Sequence, residues 1–226
     1  MIATTHEIGK KGKRSILIVE DHPILREGLR RVINHEVDLF VVGEAWDTHT
    51  AETAIREKKP DLVLVDISLR GSNGLDLIRA LKTNYEWLHT LVLSMHDEVL
   101  YAERAFRAGA KGYVTKSEPS DILLAAIRKV LAGQYYLSDA LISRVFGQLY
   151  EKRTEKGRSD VEKLSDRELG VLEMMGQGAS THQIAENLYL SMKTIQTYQQ
   201  RIKDKLSLKN ATELIQYATQ WVNENA

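Results

Sequence analysis

Short apolar runs alternate with helix-patterned segments between residues 14 and 134 of the chain. The runs are SILIV, DLFVVGE, DLVLVD, HTLVLSM and AKGYVTK, and each has the length of a strand buried on both faces. Apolar residues recur at helical spacing in the segments that follow, which are residues 23–35, 48–58, 73–82, 97–108 and 119–131. Five strands that alternate with five helices predict an α/β, doubly wound fold around a five-stranded parallel sheet, in a first domain at residues 14–134.

The strand pattern stops after this domain. Apolar residues at helical spacing predict a helix from Ser138 to Tyr150. The segment from Glu151 to Lys163 is highly charged and has no apolar face, which is typical of a linker. We therefore predict a helical linker at residues 135–162 that separates two domains.

The last part of the chain carries signals of helices alone. Ser165 and Glu168 have the spacing of a capping box at the start of the first helix. A short helical segment near residue 180 is followed, after a brief turn, by a longer one that Ser191 caps. A short helix and a longer one joined in this way form a helix-turn-helix, whose second helix enters the major groove of DNA. We predict a small all-α helix-turn-helix domain at residues 163–226.

Composition narrows the classes of function. The 31 Lys and Arg residues balance the 31 Asp and Glu residues, so any basic patch must be local. The absence of cysteine excludes disulfides, thiolate metal sites and cysteine nucleophiles. The first fifteen residues are polar and basic, unlike a signal peptide, and no apolar run approaches membrane-spanning length. We therefore expect a soluble, cytoplasmic protein with no membrane partner.

Polar residues follow four of the predicted strands. Glu20 and Asp21 follow the first strand, Asp66 the third, Ser94 the fourth and Lys116 the fifth. We expect them to meet, because the carboxyl ends of parallel strands form one edge where ligands bind. Carboxylates that close together favour a cation, and Mg²⁺ prefers oxygen ligands. A carboxylate beside such an ion can act as a nucleophile toward a phosphoryl group.

The segments ILIVEDHPILREGL, LVLVDISLRGSNGLDLI, LVLSMHDE and GAKGYVTK, with the four-helix tail, resemble the NarL/FixJ family of two-component response regulators. The resemblance covers nearly all of the chain from Ser15 to Trp221. It implies a CheY-like receiver and a LuxR-type helix-turn-helix domain. It also implies that Asp66 accepts a phosphoryl group from a sensor histidine kinase. Mg²⁺ would then be bound by Asp21, Asp66 and the Ser68 carbonyl, with Glu20 assisting.

The same resemblance assigns the other pocket residues. Ser94 would hydrogen-bond the phosphoryl oxygens, Lys116 would pair with them, and Tyr113 would rotate when Ser94 moves.

The resemblance also implies the output of the protein. The phosphorylated chain would form a homodimer, and it would regulate transcription instead of acting as an enzyme. Arg70 departs from the family pattern, because a proline often stands a few residues past the acceptor, and this departure affects the loop geometry alone.

Two alternatives to this function stay open. Aspartate-based phosphohydrolases also place an acid at a strand end, but they normally carry a second acid two residues later. In this chain that position is Ser68, in the sequence DIS. The other alternative is a regulator whose DNA binding ignores phosphorylation and whose receiver is an interaction module. Measuring DNA affinity with and without acetyl phosphate and magnesium would separate the two.

The tail segments LSDREL, GQGAS and IAENLYLSMKTI resemble the LuxR-type DNA-binding domain, which implies double-stranded DNA as a partner. Bases cluster near the second helix of the motif, and such a local basic face suffices to neutralise phosphates. The cluster comprises Lys193, Arg201, Lys203, Lys205 and Lys209. The positions expected to point outward are Gln196, Thr197, Gln199 and Gln200. The predicted DNA contacts are Lys193, Thr194, Gln196, Thr197, Gln200, Arg201 and Lys209. The alternative is that the glutamines form only a solvated helix face.

The last predicted helix carries Leu214, Tyr217 and Trp221 on one side. The helix is expected to provide a dimer surface through Leu214, Tyr217 or Trp221. The alternative is packing into the small core of the domain, which must account for at least some of these residues.

Overall fold

The computed structural model describes residues 12–69, 72–95, 98–139, 142–143 and 160–224. The chain forms two compact units, Met1–Ile142 and Ser143–Ala226. Within the described ranges, no helix is both long enough and apolar enough to cross a membrane. Most of the helix predicted for residues 138–150 lies outside the described residues.

The first unit is a parallel sheet whose strands alternate with helices. Strands β1 to β5 are Arg14–Val19, Leu39–Ala45, Leu62–Val65, His89–Ser94 and Gly112–Thr115. Helices α1 to α5 are Pro23–His35, Thr48–Lys58, Gly74–Asn84, Glu98–Ala108 and Ser120–Leu131. The strands lie in the order β2-β1-β3-β4-β5, and every neighbouring pair is parallel. The predicted doubly wound α/β fold is confirmed.

The strand order reverses direction at β1, which lies between β2 and β3. In open α/β sheets, ligands bind outside the carboxyl ends of the strands at this switch point. Val19 pairs with Val65 in the register of β1 and β3. The amide of Asp66 donates a hydrogen bond to the carbonyl of Val19, at 2.9 Å. The residues that follow the two strands therefore leave the sheet side by side.

The apolar runs of the sheet are buried on both faces. Ile16, Leu17 and Ile18 of β1 are fully buried, as are the residues of β3. One face packs against α1 and α5, through residues such as Ile33 and Ile127. Full burial of one such side chain stabilises the fold by about 1.5–3 kcal/mol. This core fixes the strand ends on which the polar residues stand.

Helix α3 begins directly against the backbone of Asp66. Asn73 caps the helix, and its Oδ1 accepts a hydrogen bond from the amide of Leu75 at 2.9 Å. The amide of Gly74 donates to the carbonyl of Ile67 at 2.9 Å. A Cβ atom on Gly74 would lie 2.1 Å from the carbonyl oxygen of Asp66, so only glycine fits at this position.

The described residues 160–224 of the second unit contain a 3-10 turn, Asp160–Lys163, and four helices. Helices α6 to α9 are Asp166–Gly176, Thr181–Asn187, Met192–Leu206 and Ala211–Glu224. Ser165 and Glu168 form the predicted capping box, and the serines before α7 and α8 cap those helices. The predicted all-α domain is confirmed. Val161 is fully buried, so the unit includes the end of the segment expected to be a linker. The predicted limits 14–134, 135–162 and 163–226 stay predictions.

Candidate functional site

Three carboxylates and one ammonium group meet at the switch point of the sheet. Glu20, Asp21 and Asp66 are 2%, 7% and 2% exposed. The Nζ atom of Lys116 lies 2.7 Å from Oε2 of Glu20 and 2.7 Å from Oδ2 of Asp66. Lys116 thus pairs with two of the three buried acids. Buried charges need partners, and one lysine does not balance three carboxylates. The pocket therefore favours binding of a further cation.

The electrostatics of the pocket reflect this crowding. Burial raises the pKa of Glu20, and the charge of Asp66 raises it further, although Lys116 opposes both effects. Burial alone would lower the pKa of Lys116, but the carboxylates of Asp66 and Glu20 outweigh it. The pKa of Lys116 therefore lies above its ordinary value, and the side chain stays a cation.

The structure brings Ser68 and Ser94 to this pocket edge and leaves Tyr113 deeper in the sheet. The amide of Ser68 donates to Oδ1 of Asp66 at 3.1 Å. Ser94 ends β4 and is fully buried, and its carbonyl accepts a hydrogen bond from the amide of Lys116 at 2.8 Å. Tyr113 is also fully buried, and it pairs with Val92, two residues before the end of β4. Arg70 lies outside the described residues.

The structure adds two residues that the sequence interpretation missed. Nη1 of Arg26 donates to the carbonyl oxygen of Glu20 at 2.7 Å, and its Nε donates to Glu44 at 3.1 Å. Arg26 therefore fixes the turn that follows β1. Nδ1 of His22 lies 2.9 Å from Oδ1 of Asp21 and 3.2 Å from Oε1 of Glu20. Helical spacing places Arg26 in the first turn of α1 and His22 just before it, but it does not reveal that both side chains contact Glu20.

The donor set of the pocket fits magnesium. The carboxylates of Glu20, Asp21 and Asp66 are hard oxygen donors of the kind that Mg²⁺ prefers. Lys116 lies close to two of them and supplies one positive charge. A divalent cation would therefore bring the charge of the pocket closer to balance.

In the second unit, helix α8 packs one face against the apolar core and exposes a polar face. Ile195, Ile202 and Leu206 are buried toward the other helices. Among the predicted DNA contacts, Thr194 is partly buried and its amide donates to the cap residue Ser191 at 3.1 Å. The exposed ones are Lys193, Gln196, Thr197, Gln200, Arg201 and Lys209.

The prediction that Gln199 points outward is wrong. Its Nε2 donates to Oγ1 of Thr181 at 3.2 Å and contacts the sulfur of Met175 at 3.7 Å. Residues three and four apart share a face of a helix, and Gln199 lies four residues after buried Ile195 and three before buried Ile202. Gln199 thus links α8 to α7 and is partly buried, so it does not point outward as predicted.

One member of the predicted basic cluster has a structural partner. Nζ of Lys205 lies 2.6 Å from Oε2 of Glu168, which is 2% exposed. Burial alone would raise the pKa of Glu168, but the hydrogen bonds from Lys205 and Ser165 outweigh it and hold the pKa below its ordinary value. The side chain of Lys205 therefore has a structural role, which is to balance the charge of buried Glu168.

Helix α9 packs against α6 through Leu214 and Ala218, which are 1% and 0% exposed. A Cβ atom on Gly176 would lie 2.4 Å from the carbonyl oxygen of Ala218, which shows how closely the two helices approach. The expectation that Leu214 provides a dimer surface is wrong, because it belongs to the domain core. Tyr217 and Trp221 are partly buried, and dimerisation stays a prediction.

Comparison with known proteins identifies both units. Residues 16–128 match the family model of the response regulator receiver domain. Residues 162–218 match the model of bacterial regulatory proteins of the luxR family. The chain belongs to the LuxR-type response regulators. Regulation of transcription by DNA binding is the activity of this family.

This response regulator has relatives that span its length. It is 33% identical over 207 residues to the oxygen regulatory protein NreC of Staphylococcus aureus (strain JH9), which covers 90% of this chain and 95% of NreC. A LuxR-family response regulator from Aurantimonas sp. SI85-9A1 is 36% identical, with a TM-score of 0.58, over 61% of this chain and 99% of that chain. RcsB from Salmonella enterica serovar Typhimurium, bound to promoter P1flhDC, is 24% identical, with a TM-score of 0.61, over 92% and 99% of the chains. At that identity, the likeness to RcsB shows the fold alone.

Proposed function

We propose that this response regulator accepts a phosphoryl group on Asp66 from a sensor histidine kinase, and that phosphorylation controls its binding to double-stranded DNA. The observation that carries the proposal is the setting of Asp66. It directly follows β3 at the switch point, is buried beside Glu20, and is bonded to Lys116 at 2.7 Å. A carboxylate held in this way is a nucleophile with a cation beside it.

The two oxygens of Asp66 have different surroundings. Oδ1 accepts the amide of Ser68, and Oδ2 accepts Lys116. Attack by one oxygen on phosphorus forms an acyl phosphate and breaks the bond between phosphorus and the histidine nitrogen of the donor. The leaving nitrogen takes up a proton from water as this bond breaks, so that the donor histidine is released as neutral imidazole. Lys116, which stays charged, pairs with the added phosphoryl oxygens and so stabilises the product.

The proposed magnesium ligands are Asp21, Asp66 and the carbonyl of Ser68, with Glu20 assisting. When bound, Mg²⁺ supplies positive charge that offsets the charge of the incoming phosphoryl group. The chain contributes the orientation of these ligands, because Arg26 holds the backbone of Glu20 and the strand register holds Asp66 beside it.

Ser94 and Tyr113 would transmit the change. The hydroxyl of Ser94 would hydrogen-bond the phosphoryl oxygens, which would draw the end of β4 toward Asp66. Tyr113 is fully buried and pairs with Val92 of β4. We therefore propose that Tyr113 rotates when Ser94 moves, which is a shift of population between two states.

The DNA interface would be the exposed face of α8. Lys193, Arg201 and Lys209 would neutralise phosphates, and Gln196 and Gln200 would read bases. The support is the exposure of these side chains, the match to the luxR family, and the fold shared with RcsB, which is described in complex with promoter DNA. Homodimerisation of the phosphorylated chain would double this interface, and a chain that binds DNA would act in the cytoplasm.

The test is phosphorylation in solution. The chain with magnesium and acetyl phosphate should gain one phosphoryl group that hydroxylamine removes, and its DNA affinity should change. Asp66→Asn should gain none. The matched control is Asp76→Asn, because Asp76 is exposed on α3 and pairs only with Arg79 among the contacts described here. Full phosphoryl labelling of Asp66→Asn would refute the hypothesis that Asp66 is the phosphoryl acceptor. Equal DNA affinity of both forms would instead favour a receiver that is an interaction module.

A further inference from the structure

Helix α8 carries a single acid, Asp204, among its bases and amides. The side chain is exposed and lies in the last turn of the helix, between Lys203 and Lys205. A carboxylate in the last turn opposes the helix dipole, and on a helix that binds DNA it also repels phosphates. The position of Asp204 is therefore unfavourable on two counts unless the side chain has a specific partner.

The partner of the Asp204 carboxylate is the amide of Gln200. Nε2 of Gln200 donates a hydrogen bond to Oδ1 of Asp204 at 2.8 Å, one helical turn away. A carboxylate only accepts hydrogen bonds, so the nitrogen end of the amide must face Asp204. Within residues 160–224, the amide of Gln196 has no such bond. Gln200 is therefore held in one orientation, whereas the amide of Gln196 can rotate.

The orientation of an amide determines how it reads a base. Adenine presents the donor N6 beside the acceptor N7, so a glutamine must present its oxygen and its nitrogen in the matching order. The amide nitrogen carries two hydrogens, and Asp204 accepts one of them, so the other hydrogen and Oε1 are left for a base. A side chain that is ordered before binding also loses less conformational freedom when it binds.

We propose that Asp204 is a positioning residue, which holds the amide of Gln200 in the orientation that reads an adenine. This inference rests on the proposed function, in which Gln200 reads bases. A glutamine and an aspartate at this spacing also stabilise a helix slightly, so the experiment must separate the two effects.

The experiment measures a ratio of affinities, because a ratio cancels effects that are common to all DNA sequences. Selection from a random DNA pool, with the full chain and with Gln200→Ala, identifies the A·T pair whose preference depends on Gln200. Fluorescence anisotropy then gives the affinity of each variant for duplexes with and without that pair. Acetyl phosphate and magnesium are present throughout, and the salt concentration is fixed. Loss of the Asp204 charge should tighten binding to both duplexes, whereas the ratio reports the orientation of the amide.

The variants of Asp204 should differ in this ratio. Asp204→Ala should lower it by about two- to tenfold, which is the effect of ordering one flexible side chain only on binding. Asp204→Glu should keep the parental ratio, because a glutamate accepts from a glutamine at the same spacing in α9. There, Nε2 of Gln220 donates to Oε1 of Glu224 at 2.8 Å. In the Gln200→Ala background, Asp204→Ala should not change the ratio further.

The matched control is Glu224→Ala. Gln220 and Glu224 are exposed in the same domain, and their bond has the spacing and the length of the bond between Gln200 and Asp204. An effect through helix stability alone would therefore appear in this control as well, but we expect the parental ratio. A second readout is ¹⁵N relaxation of the side-chain amides. Gln200 should be more ordered than Gln196 in the parent, and this difference should disappear in Asp204→Ala.

The outcomes separate this inference from the proposed function. A parental ratio in Asp204→Ala, together with a lost ratio in Gln200→Ala, would overturn the inference and leave base reading by Gln200 standing. A further loss caused by Asp204→Ala in the Gln200→Ala background, or an equal loss in Glu224→Ala, would also overturn it. An unchanged selected motif in Gln200→Ala would instead refute base reading by Gln200, and the inference with it.

Discussion

Two lysines of helix α8 should behave in opposite ways on DNA. Lys193 is exposed in the first turn of the helix, whereas Lys205 bonds buried Glu168 at 2.6 Å. We expect Lys193 to contact a DNA phosphate and Lys205 to stabilise the domain. From the sequence alone, both lysines belong to the same basic cluster and would be expected to contact DNA. Comparing them therefore tests whether the bond to Glu168 removes Lys205 from DNA binding.

The magnitudes follow from the contacts. Each phosphate contact contributes about 0.9 to the slope of log affinity against log salt, so a fourfold rise in salt costs about 3.5-fold in affinity per contact. Lys193→Ala should lower the slope by about one. A hydrogen bond to a charged group contributes about 1.5–3 kcal/mol. The side chain of Lys205 is 39% exposed, so screening reduces the expected loss of stability in Lys205→Ala to about 1–2 kcal/mol.

The assay pairs two measurements on both variants. Fluorescence anisotropy with a labelled duplex at four salt concentrations gives the slope, and urea unfolding gives the free energy. Lys193→Ala should keep the unfolding free energy of the parent within about 0.5 kcal/mol, as surface substitutions usually do. Lys205→Ala should keep the salt slope and lose stability. A slope lowered by one in Lys205→Ala, or a parental slope in Lys193→Ala, would refute this reasoning.

Three further predictions address the metal, the bases and pH. Asp21→Ala should weaken magnesium binding at least tenfold, or by about 1.4 kcal/mol, and unchanged affinity in calorimetry would contradict its role as a ligand. Gln196→Ala and Gln200→Ala should lose preference at one or two A·T pairs and keep the parental salt slope. Selection from a random DNA pool checks this, and an unchanged selected motif would mean that the glutamines are only solvated. The folded pKa of Glu168 lies below its ordinary value of 4.5, so its charge stabilises the fold above pH 4.5 and this contribution is lost as pH falls through the folded pKa. The difference in unfolding free energy between the parent and Glu168→Gln should therefore shrink from pH 7 to about pH 3, and a constant difference would exclude this linkage.

The sheet and the acid pocket could be predicted because local signals determine them. Strands buried on both faces appear as continuous apolar runs, and Asp66 stands at the end of one. The carboxyl ends of parallel strands share an edge, so the order of residues along the chain places Glu20 and Lys116 beside it.

The errors involve side chains whose partners come from other helices. The side chain of Gln199 turns inward because it bonds Thr181 of α7. The side chain of Lys205 has a structural role because it bonds Glu168 of α6. Helical spacing gives the angle of a residue around its own axis, but it does not give the neighbour that the residue meets. The choice among Leu214, Tyr217 and Trp221 for a dimer surface has the same limit, since it is the packing of α9 on α6 that makes Leu214 part of the core.

The close approach of Gly74 to the backbone of Asp66 leaves no free space on that side of the pocket. Helix α3 already lies so close to the carbonyl oxygen of Asp66 that no added carbon fits between them. If Asp66 is phosphorylated as proposed, the added group would lie beside a backbone that has no space to move toward α3. The displacement would instead be directed across the sheet toward β4, which pairs with β3 and ends at Ser94. A residue without a side chain would thus give the movement its direction.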